Sequence, residues 1–299
     1  MREGAPTVFT PKEPVVGPCP REGVLITGGS GFLGRALVEK LLADGCPRVC
    51  IYSRNEFAQA KMREDFDDDE RLRWFIGDVR DLPRLSRAMS SVYSVIHAAA
   101  LKRIEVGAYN PDEMVKTNVL GTLNVVAAAR EAEVGKVLLV SSDKAFEPKS
   151  PYGQTKALAE SIVLNANDPQ FGPRFAVVRY GNVAGSTGSI IPTWRAKIAA
   201  GKKVPVTDPG CTRFWMTREE AAKLVVDTLA GMKGGETAIP RLPAFSIGDL
   251  WEAFDRPDCA LGGLPDHEKE HESMNAEFYS ATARRLTVAE LRERLKEIA

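Results

Sequence analysis

Short apolar runs, rich in valine, isoleucine and leucine, recur through the first part of the chain at Val24 to Thr27, Val49 to Ser53, Leu72 to Ile76, Ser94 to Ala98, Lys136 to Ser141 and Phe175 to Tyr180. Runs this short with little polar alternation read as strands buried on both faces, as in parallel sheets. Between them lie stretches of helical period, such as Phe32 to Ala43 and Asp112 to Ala132, and in the second Val115, Val119, Leu123 and Val126 fall on one stripe. Strand and helix alternate, which predicts an α/β fold: a doubly wound parallel sheet of Rossmann type with right-handed crossovers.

After Asn182 the regularity fails. Prolines at 192, 205, 209, 240, 243, 257 and 265 break the chain into short elements. The expected organisation is an N-terminal arm over 1–22, a dinucleotide-binding domain over 23–182 and a smaller irregular substrate-binding part over 183–299. Arg218 to Met232 has Ala221, Leu224, Val225 and Leu229 at helical spacing and is expected to return to the first domain.

The first strand runs into Thr27-Gly-Gly-Ser-Gly-Phe-Leu-Gly34, so Gly29, Gly31 and Gly34 satisfy GxGxxG between a strand and a helix, and Gly28, Gly31 and Gly34 satisfy TGxxGxxG. Bare glycine backbone lets a pyrophosphate approach, and the helix N-terminus supplies N–H donors with partial positive charge. An NAD enzyme usually ends its second strand on a carboxylate for the adenosine ribose. Here the strand ends Ser53-Arg54. A guanidinium beside a hydroxyl suits a 2′-phosphate and favours NADP over NAD, with Arg35 and Lys61 as further candidates for that pocket. The alternative is that Arg54 is a solvated loop residue. Asp78 and Val79, after the third strand, would lie at the adenine end.

Composition excludes more than it assigns. Lysine plus arginine and aspartate plus glutamate are 40 each, so no net field recruits nucleic acid or anionic lipid, and an anionic ligand needs local donors. Five cysteines without a CxxC pair argue against a disulfide framework and a zinc site, and no metal is expected. No apolar run has the length of a membrane helix, and the opening residues lack a signal-peptide core; a cytoplasmic protein without membrane partners is expected.

Tyr152-Gly-Gln-Thr-Lys156 places a phenol and an ammonium four residues apart, on one face of a helix beginning near Pro151. An adjacent ammonium stabilises a phenolate, making the tyrosine an acid/base for hydride chemistry. Ser141-Ser142-Asp143-Lys144 closes the fifth strand just before it.

Together with these segments, HAAALK at His97 to Lys102, KTNVLGT at Lys116 to Thr122 and RYGNVAGSTGSIIP at Arg179 to Pro192 resemble the extended short-chain dehydrogenases. Within that group the chain resembles the inverting UDP-N-acetylglucosamine 4,6-dehydratases, from about Gly23 to the C-terminus. TDPGCTRFW at Thr207 to Trp215 and EKEHE at Glu268 to Glu272 extend the likeness. The resemblance implies Tyr152 as base for the sugar C4 hydroxyl, Lys156 as its tuner and ribose ligand, Asp143 as acid for the departing C6 hydroxyl and Lys144 as the group handling the C5 proton. Ser142 replaces the usual threonine but keeps the hydroxyl. It also implies cofactor contacts from Thr27, Gly28, Gly29, Ser30, Gly31, Phe32, Leu33 and Gly34. Further contacts are implied for Ala98, Ala99, Ala100, Lys102, Ser141, Tyr180, Gly181 and Val183. Asn118 would hold a water or backbone group near Lys156, or simply satisfy a helix kink. Asn182, Ser189, Arg213 and Lys269 would meet the nucleotide-sugar diphosphate, and Lys102 and Ile190 would also contact the substrate. One departure stands out: Pro265-Asp266-His267-Glu268-Lys269 lacks the arginine of the family's RPGEK, which His267 or Arg213 would have to replace.

The function expected is therefore an NADP-dependent, redox-neutral dehydration of a UDP-linked hexose, in a homo-oligomer built on the helices Asp112 to Ala132 and Pro151 to Asn167. A UDP-sugar 4-epimerase or a 5,6-dehydratase is the alternative within the fold, and a noncatalytic NADP-binding regulator the alternative outside it. The Asp143-Lys144 pair favours elimination, because a 4-epimerase needs neither an acid at C6 nor a base at C5.

Overall fold

The structure is a computed structural model that describes residues 23–298; the expected N-terminal arm lies outside the described residues. In chain order it has β1 (Val24–Thr27), α1 (Phe32–Ala43), β2 (Val49–Ser53), α2 (Glu56–Asp65), β3 (Leu72–Ile76), α3 (Leu82–Met89), β4 (Ser94–His97), α4 (Ile104–Tyr109) and α5 (Pro111–Met114). Then come α6 (Gly121–Glu131), β5 (Lys136–Val140), α7 (Pro151–Ala166) and β6 (Arg174–Val178), succeeded by α8 (Ile190–Ala199), β7 (Val204–Val206), β8 (Thr212–Phe214), α9 (Arg218–Gly231) and β9 (Thr237–Ala238). The main sheet has seven parallel strands in the order β3-β2-β1-β4-β5-β6-β9, the doubly wound arrangement. β9, only two residues long, gives too short a signal to be seen in the sequence.

Why these runs become buried strands is visible in their side chains. Val24 and Ile26 join one apolar cluster with α1 and α9, while Leu25 joins another with α3, α6 and α7. β5 and β6 divide the same way, Leu138 and Val178 on the first side, Val137, Leu139 and Phe175 on the second. A two-residue period with both faces covered demands apolar residues throughout, and each such side chain contributes roughly 1.5–3 kcal/mol. α9 is fixed to the sheet by Ala221, Val225 and Leu229 in that first cluster, and Lys136 Nζ donates to the carbonyls of Leu229 and Ala230 at 2.9 and 2.8 Å, a cation at the helix C-terminus. Past β6 a separate apolar cluster forms around Trp194, Trp215, Leu250 and Leu291.

The stripe expected over Asp112 to Ala132 is not continuous. Val115–Leu120 is a π-helical turn between α5 and α6, so Thr117, Asn118 and Val119 are buried in succession. The wider turn rotates α6 relative to α5: Val119 and Val126 face the core, whereas Val115 and Leu123 are 44% and 45% exposed. Among the described residues no helix is long and apolar enough to cross a membrane.

Strand order reverses between β1 and β4, and at their C-terminal ends a buried hydrogen-bond chain links the two strands to α6. The Ala99 amide donates to Thr27 Oγ1 at 3.2 Å, and Thr27 Oγ1 lies 2.7 Å from His97 Nδ1. His97 Nε2 lies 3.1 Å from Thr122 Oγ1, which donates to the Asn118 carbonyl at 2.6 Å. Because the Thr122 proton is committed, Nε2 carries the ring proton and Nδ1 accepts from Thr27. Burial pushes the imidazole down to about 3, so His97 is neutral.

Candidate active site

A cleft of about 750 Å³ opens over the C-terminal ends of β1, β2, β4, β5 and β6, the crevice such sheets reserve for ligands. Its floor is the glycine turn. A Cβ on Gly34 would stand 2.4 Å from the Gly29 carbonyl oxygen, so the turn closes only with glycine there. Gly28, Ser30, Gly31, Phe32, Leu33 and Gly34 line the cleft. Thr27 and Gly29 do not: Thr27 is consumed in the His97 chain, and Gly29 is pressed against Ile51 and the Ile26 carbonyl.

At the end of β2, Ser30 Oγ donates to Ser53 Oγ at 2.8 Å, and Arg54 reaches over the cleft with its guanidinium 3.7 Å from Asp78. Asp78 is held below the usual carboxylate range: burial opposes this, but bonds from Arg80 and the charge of Arg54 outweigh it. Tyr52 donates to the Asp78 carbonyl at 2.8 Å and fixes that segment from below. Val79, Ala98, Ala99 and Ala100 line the same wall. Arg35 and Lys61 are absent from it. Arg35 pairs instead with Glu39 at 3.2 Å and Asp65 at 2.5 Å, because its position on α1 faces α2. Asn118 lies behind the wall too: it accepts from Leu101 N at 2.8 Å and donates to Leu101 O and Thr155 Oγ1 at 2.9 and 3.0 Å, stapling the loop after β4 to α7 without touching Lys156.

α7 begins at Ser150, whose hydroxyl caps Gly153 N at 3.2 Å, with Pro151 in the first turn. A Cβ on Gly153 would meet the Lys144 carbonyl at 2.3 Å, so this glycine lets α7 lie directly on the turn Asp143–Ala145. Ser142, Asp143, Lys144, Tyr152 and Lys156 thereby face one cleft. Lys156 Nζ donates to the Val140 carbonyl at 2.7 Å, and burial drives its pKa down to about 8. Burial pushes the Tyr152 phenol up, opposed by the Lys144 charge and a bond with Ser142. In this arrangement the cation acting on the phenol is Lys144; Lys156, expected to tune it, is engaged with Val140.

Asp143 is fully buried; Oδ1 accepts from Ser142 Oγ at 2.9 Å and Lys144 Nζ at 3.2 Å, while Oδ2 has no hydrogen-bond partner. Burial moves this carboxyl up, toward its acid form. Lys144 also meets Glu272 Oε1 at 3.2 Å, and the two carboxylates more than offset its burial, holding its pKa well above the usual ammonium range.

Toward the C-terminal part, Lys102, Asn182, Ser189, Arg213 and Lys269 line the cleft, as do Ser141, Tyr180, Gly181 and Val183. Ile190 does not; it packs on the Trp194 cluster while Ser189 before it turns inward. Arg213 is already engaged, 3.2 Å from Glu268, 3.8 Å from Glu272 and bonded to the carbonyls of Thr212 and Glu270. Lys102 has no acceptor among the described residues, and burial together with the Lys144 charge lowers its pKa. Thr117, Arg103, His267, Glu268 and Glu272 also line the cleft. Glu272, which pairs with Lys144 in the cleft, is the charged position that sequence reasoning passed over, although it ends the EKEHE run.

Thr117 Oγ1, Ser141 Oγ, Asn182 Oδ1 and Ser189 Oγ are buried and without hydrogen-bond partners, and all four belong to residues of the cleft. Buried polar atoms are ordinarily satisfied, so these fit an extended polar ligand. With the glycine turn and the α1 N-terminus, they fit a dinucleotide at one end and a substrate at the other.

The fold and this cleft define an enzyme of the extended short-chain dehydrogenase/reductase group. A family model described as polysaccharide biosynthesis protein matches residues 24–285. The UDP-N-acetylglucosamine 4,6-dehydratase (inverting) of Campylobacter jejuni is 42% identical over 260 residues, 85% of this chain and 77% of that protein. A UDP-glucose 4-epimerase of Rickettsia rickettsii is 35% identical over 262 residues, 84% of this chain and 76% of that one. The solved structure of Pen from Bacillus thuringiensis matches with a TM-score of 0.89 at 32% identity, covering 94% of this chain and 100% of its own. The chain belongs to the polysaccharide biosynthesis protein family and, within it, to the inverting UDP-N-acetylglucosamine 4,6-dehydratases.

Proposed function

We propose that the protein is an NADP-dependent, redox-neutral 4,6-dehydratase of UDP-N-acetylglucosamine that inverts C5. The observation that carries this reading is the buried Asp143 carboxyl, with Oδ2 unpartnered, in the same cleft as Tyr152. A 4-epimerase would have no use for it.

The dinucleotide would rest on the turn Gly28–Gly34, with Arg54 and Ser53 at its adenosine ribose and Lys156 near the other ribose, and it supplies a hydride acceptor that is restored within each turnover. Tyr152 takes the proton of the sugar C4 hydroxyl, helped by the Lys144 charge that favours its phenolate. A C4 ketone acidifies the C5 hydrogen, and Asp143 gives its proton to the C6 oxygen as water leaves. Lys144, as the neutral amine, takes the C5 proton while water leaves and returns a proton to C5 once the hydride has reached C6, the neighbouring Glu272 carboxylate favouring the ammonium that forms in between. The diphosphate would lie near Lys102, Asn182 and Ser189, and Lys102, without an acceptor of its own, supports the reading best. The missing arginine is covered by Lys102 rather than by Arg213, whose guanidinium is spent on Glu268 and Glu272.

The test is incubation of the purified protein with a panel of UDP- and dTDP-sugars, with product mass as the readout. Loss of one water from UDP-N-acetylglucosamine is expected; an unchanged mass with a C4 epimer as product would sink dehydration in favour of epimerisation.

A further inference from the structure

We propose that Glu272 is a positioning residue for the dehydration step: by sharing the Lys144 ammonium with Asp143, it keeps Asp143 in the acid form needed to protonate the leaving oxygen. This rests on the dehydratase reading of the same cleft.

The geometry is specific. Lys144 Nζ stands 3.2 Å from Asp143 Oδ1 and 3.2 Å from Glu272 Oε1, so two buried carboxyls compete for one cation. Their surroundings are unequal. Glu272 also has Arg213 Nε at 3.8 Å and Lys269 Nζ at 3.9 Å, and its amide is fixed by a 2.9 Å bond to Ser280 Oγ. Among the described residues Asp143 has Lys144 as its one ion-pair partner, with the Ser142 hydroxyl, and its buried Oδ2, like Glu272 Oε2, has no hydrogen-bond partner. Where one proton and one negative charge are distributed over two such groups, the charge settles on the carboxylate with more cations and the proton on the other.

The remaining charged or titratable groups facing Glu272 and its partners are Glu268, which draws on Arg213, Tyr152 and Lys102 across Lys144, and Glu147 beside Lys269. The directions agree with this division: Glu272 is held low by Lys144, Arg213 and Lys269 against its burial, and its negative charge is one of the causes that raise Asp143. With Asp143 protonated, Lys144, Arg213 and Lys269 exceed Glu268 and Glu272 by one charge, a balance suited to an anionic sugar nucleotide.

The experiment is a carbon-13 NMR titration of aspartate-labelled full-length protein, with the Asp143 carboxyl assigned by its loss in Asp143→Asn. In the parent the midpoint is expected clearly above the ordinary value of about 3.9. Glu272→Gln should lower it by about one unit or more, and Glu272→Asp, which withdraws the carboxylate by one methylene, should lower it less. Where UDP-sugar turnover is measurable, the alkaline limb of dehydration should fall by the same amount in Glu272→Gln while C4 oxidation persists. A parent midpoint at or below the ordinary value, or a midpoint that stays or rises in either folded variant, overturns the proposal. A titration that behaves as expected in a protein without dehydratase activity would instead reject the dehydratase reading while leaving the carboxyl coupling in place.

Discussion

Lys156 Nζ is hydrogen-bonded to the carbonyl of Val140 at 2.7 Å, although Tyr152 precedes it by one helical turn on the same helix. The lysine therefore sits at the sheet end of the cleft, buried and with its pKa reduced to about 8. Burying this cation costs stability below the folded value of about 8, and the cost fades as pH rises toward the unfolded value near 10.4. Lys156→Met should stabilise the ligand-free protein at pH 7 by on the order of 2 kcal/mol, after about 1 kcal/mol is lost with the Val140 bond. The gain should shrink near pH 10. Urea denaturation at both pH values checks this; a variant less stable than the parent at pH 7 would refute it.

Arg54 is the cation at the end of β2 and it is only loosely held by Asp78 at 3.7 Å. A 2′-phosphate would compete well for it. Arg54→Asp is expected to weaken NADP binding roughly 10- to 100-fold, the worth of one charged hydrogen bond, and to leave NAD binding equal or tighter. Calorimetric titration with both cofactors decides, and equal affinity of the parent for the two would remove the preference altogether.

Oxidation and elimination should separate under mutation. Tyr152→Phe removes the base for the C4 hydroxyl and is expected to abolish every later event. Asp143→Asn keeps the shape but cannot protonate the C6 oxygen, so transient absorbance of reduced cofactor should appear without loss of water, with turnover down about 10²-fold or more. Lys144→Ala should additionally suppress deuterium uptake at C5 from heavy water. Parental turnover and exchange in Lys144→Ala would void its role.

Leu120 at the end of the π-helical turn, Leu123 on α6 and Leu158 on α7 are each close to half exposed. Apolar side chains exposed this way invite a second copy of the chain. The protein should scatter light as a dimer or larger at micromolar concentration, and Leu123→Glu combined with Leu158→Glu should shift it to monomer. A monomeric parent would rule the interface out.

Much of the fold and site was legible in sequence because its signals are local. The turn Thr27 to Gly34 and the Tyr152, Lys156 pair each lie within one segment whose period fixes its geometry. The failures are equally physical. Thr27 and Gly29 belong to the motif yet face inward, because a tight turn must bond and pack on its far side. Arg35 lies next to Gly34 in sequence, but helical rotation sends it to Asp65. Glu272 meets Lys144 only because distant segments fold onto the same turn. No spacing rule reports such a meeting.

The π-helical turn Val115–Leu120 bears on how this protein is engineered. Anyone grafting charges or cross-links onto the helix by counting back from Leu123 in steps of 3.6 would land on Val119, which is 6% exposed, and wedge the substitution into the core. The safe positions upstream of the turn are offset by the extra residue, so Leu120 and Val115, five apart, are the pair that shares the outer surface. Removing one residue from Thr117–Val119 is expected to restore an ordinary turn and rotate α5 by about 100°. That rotation would displace the Asn118 staple, so the length of this helix, and not only its composition, is under constraint.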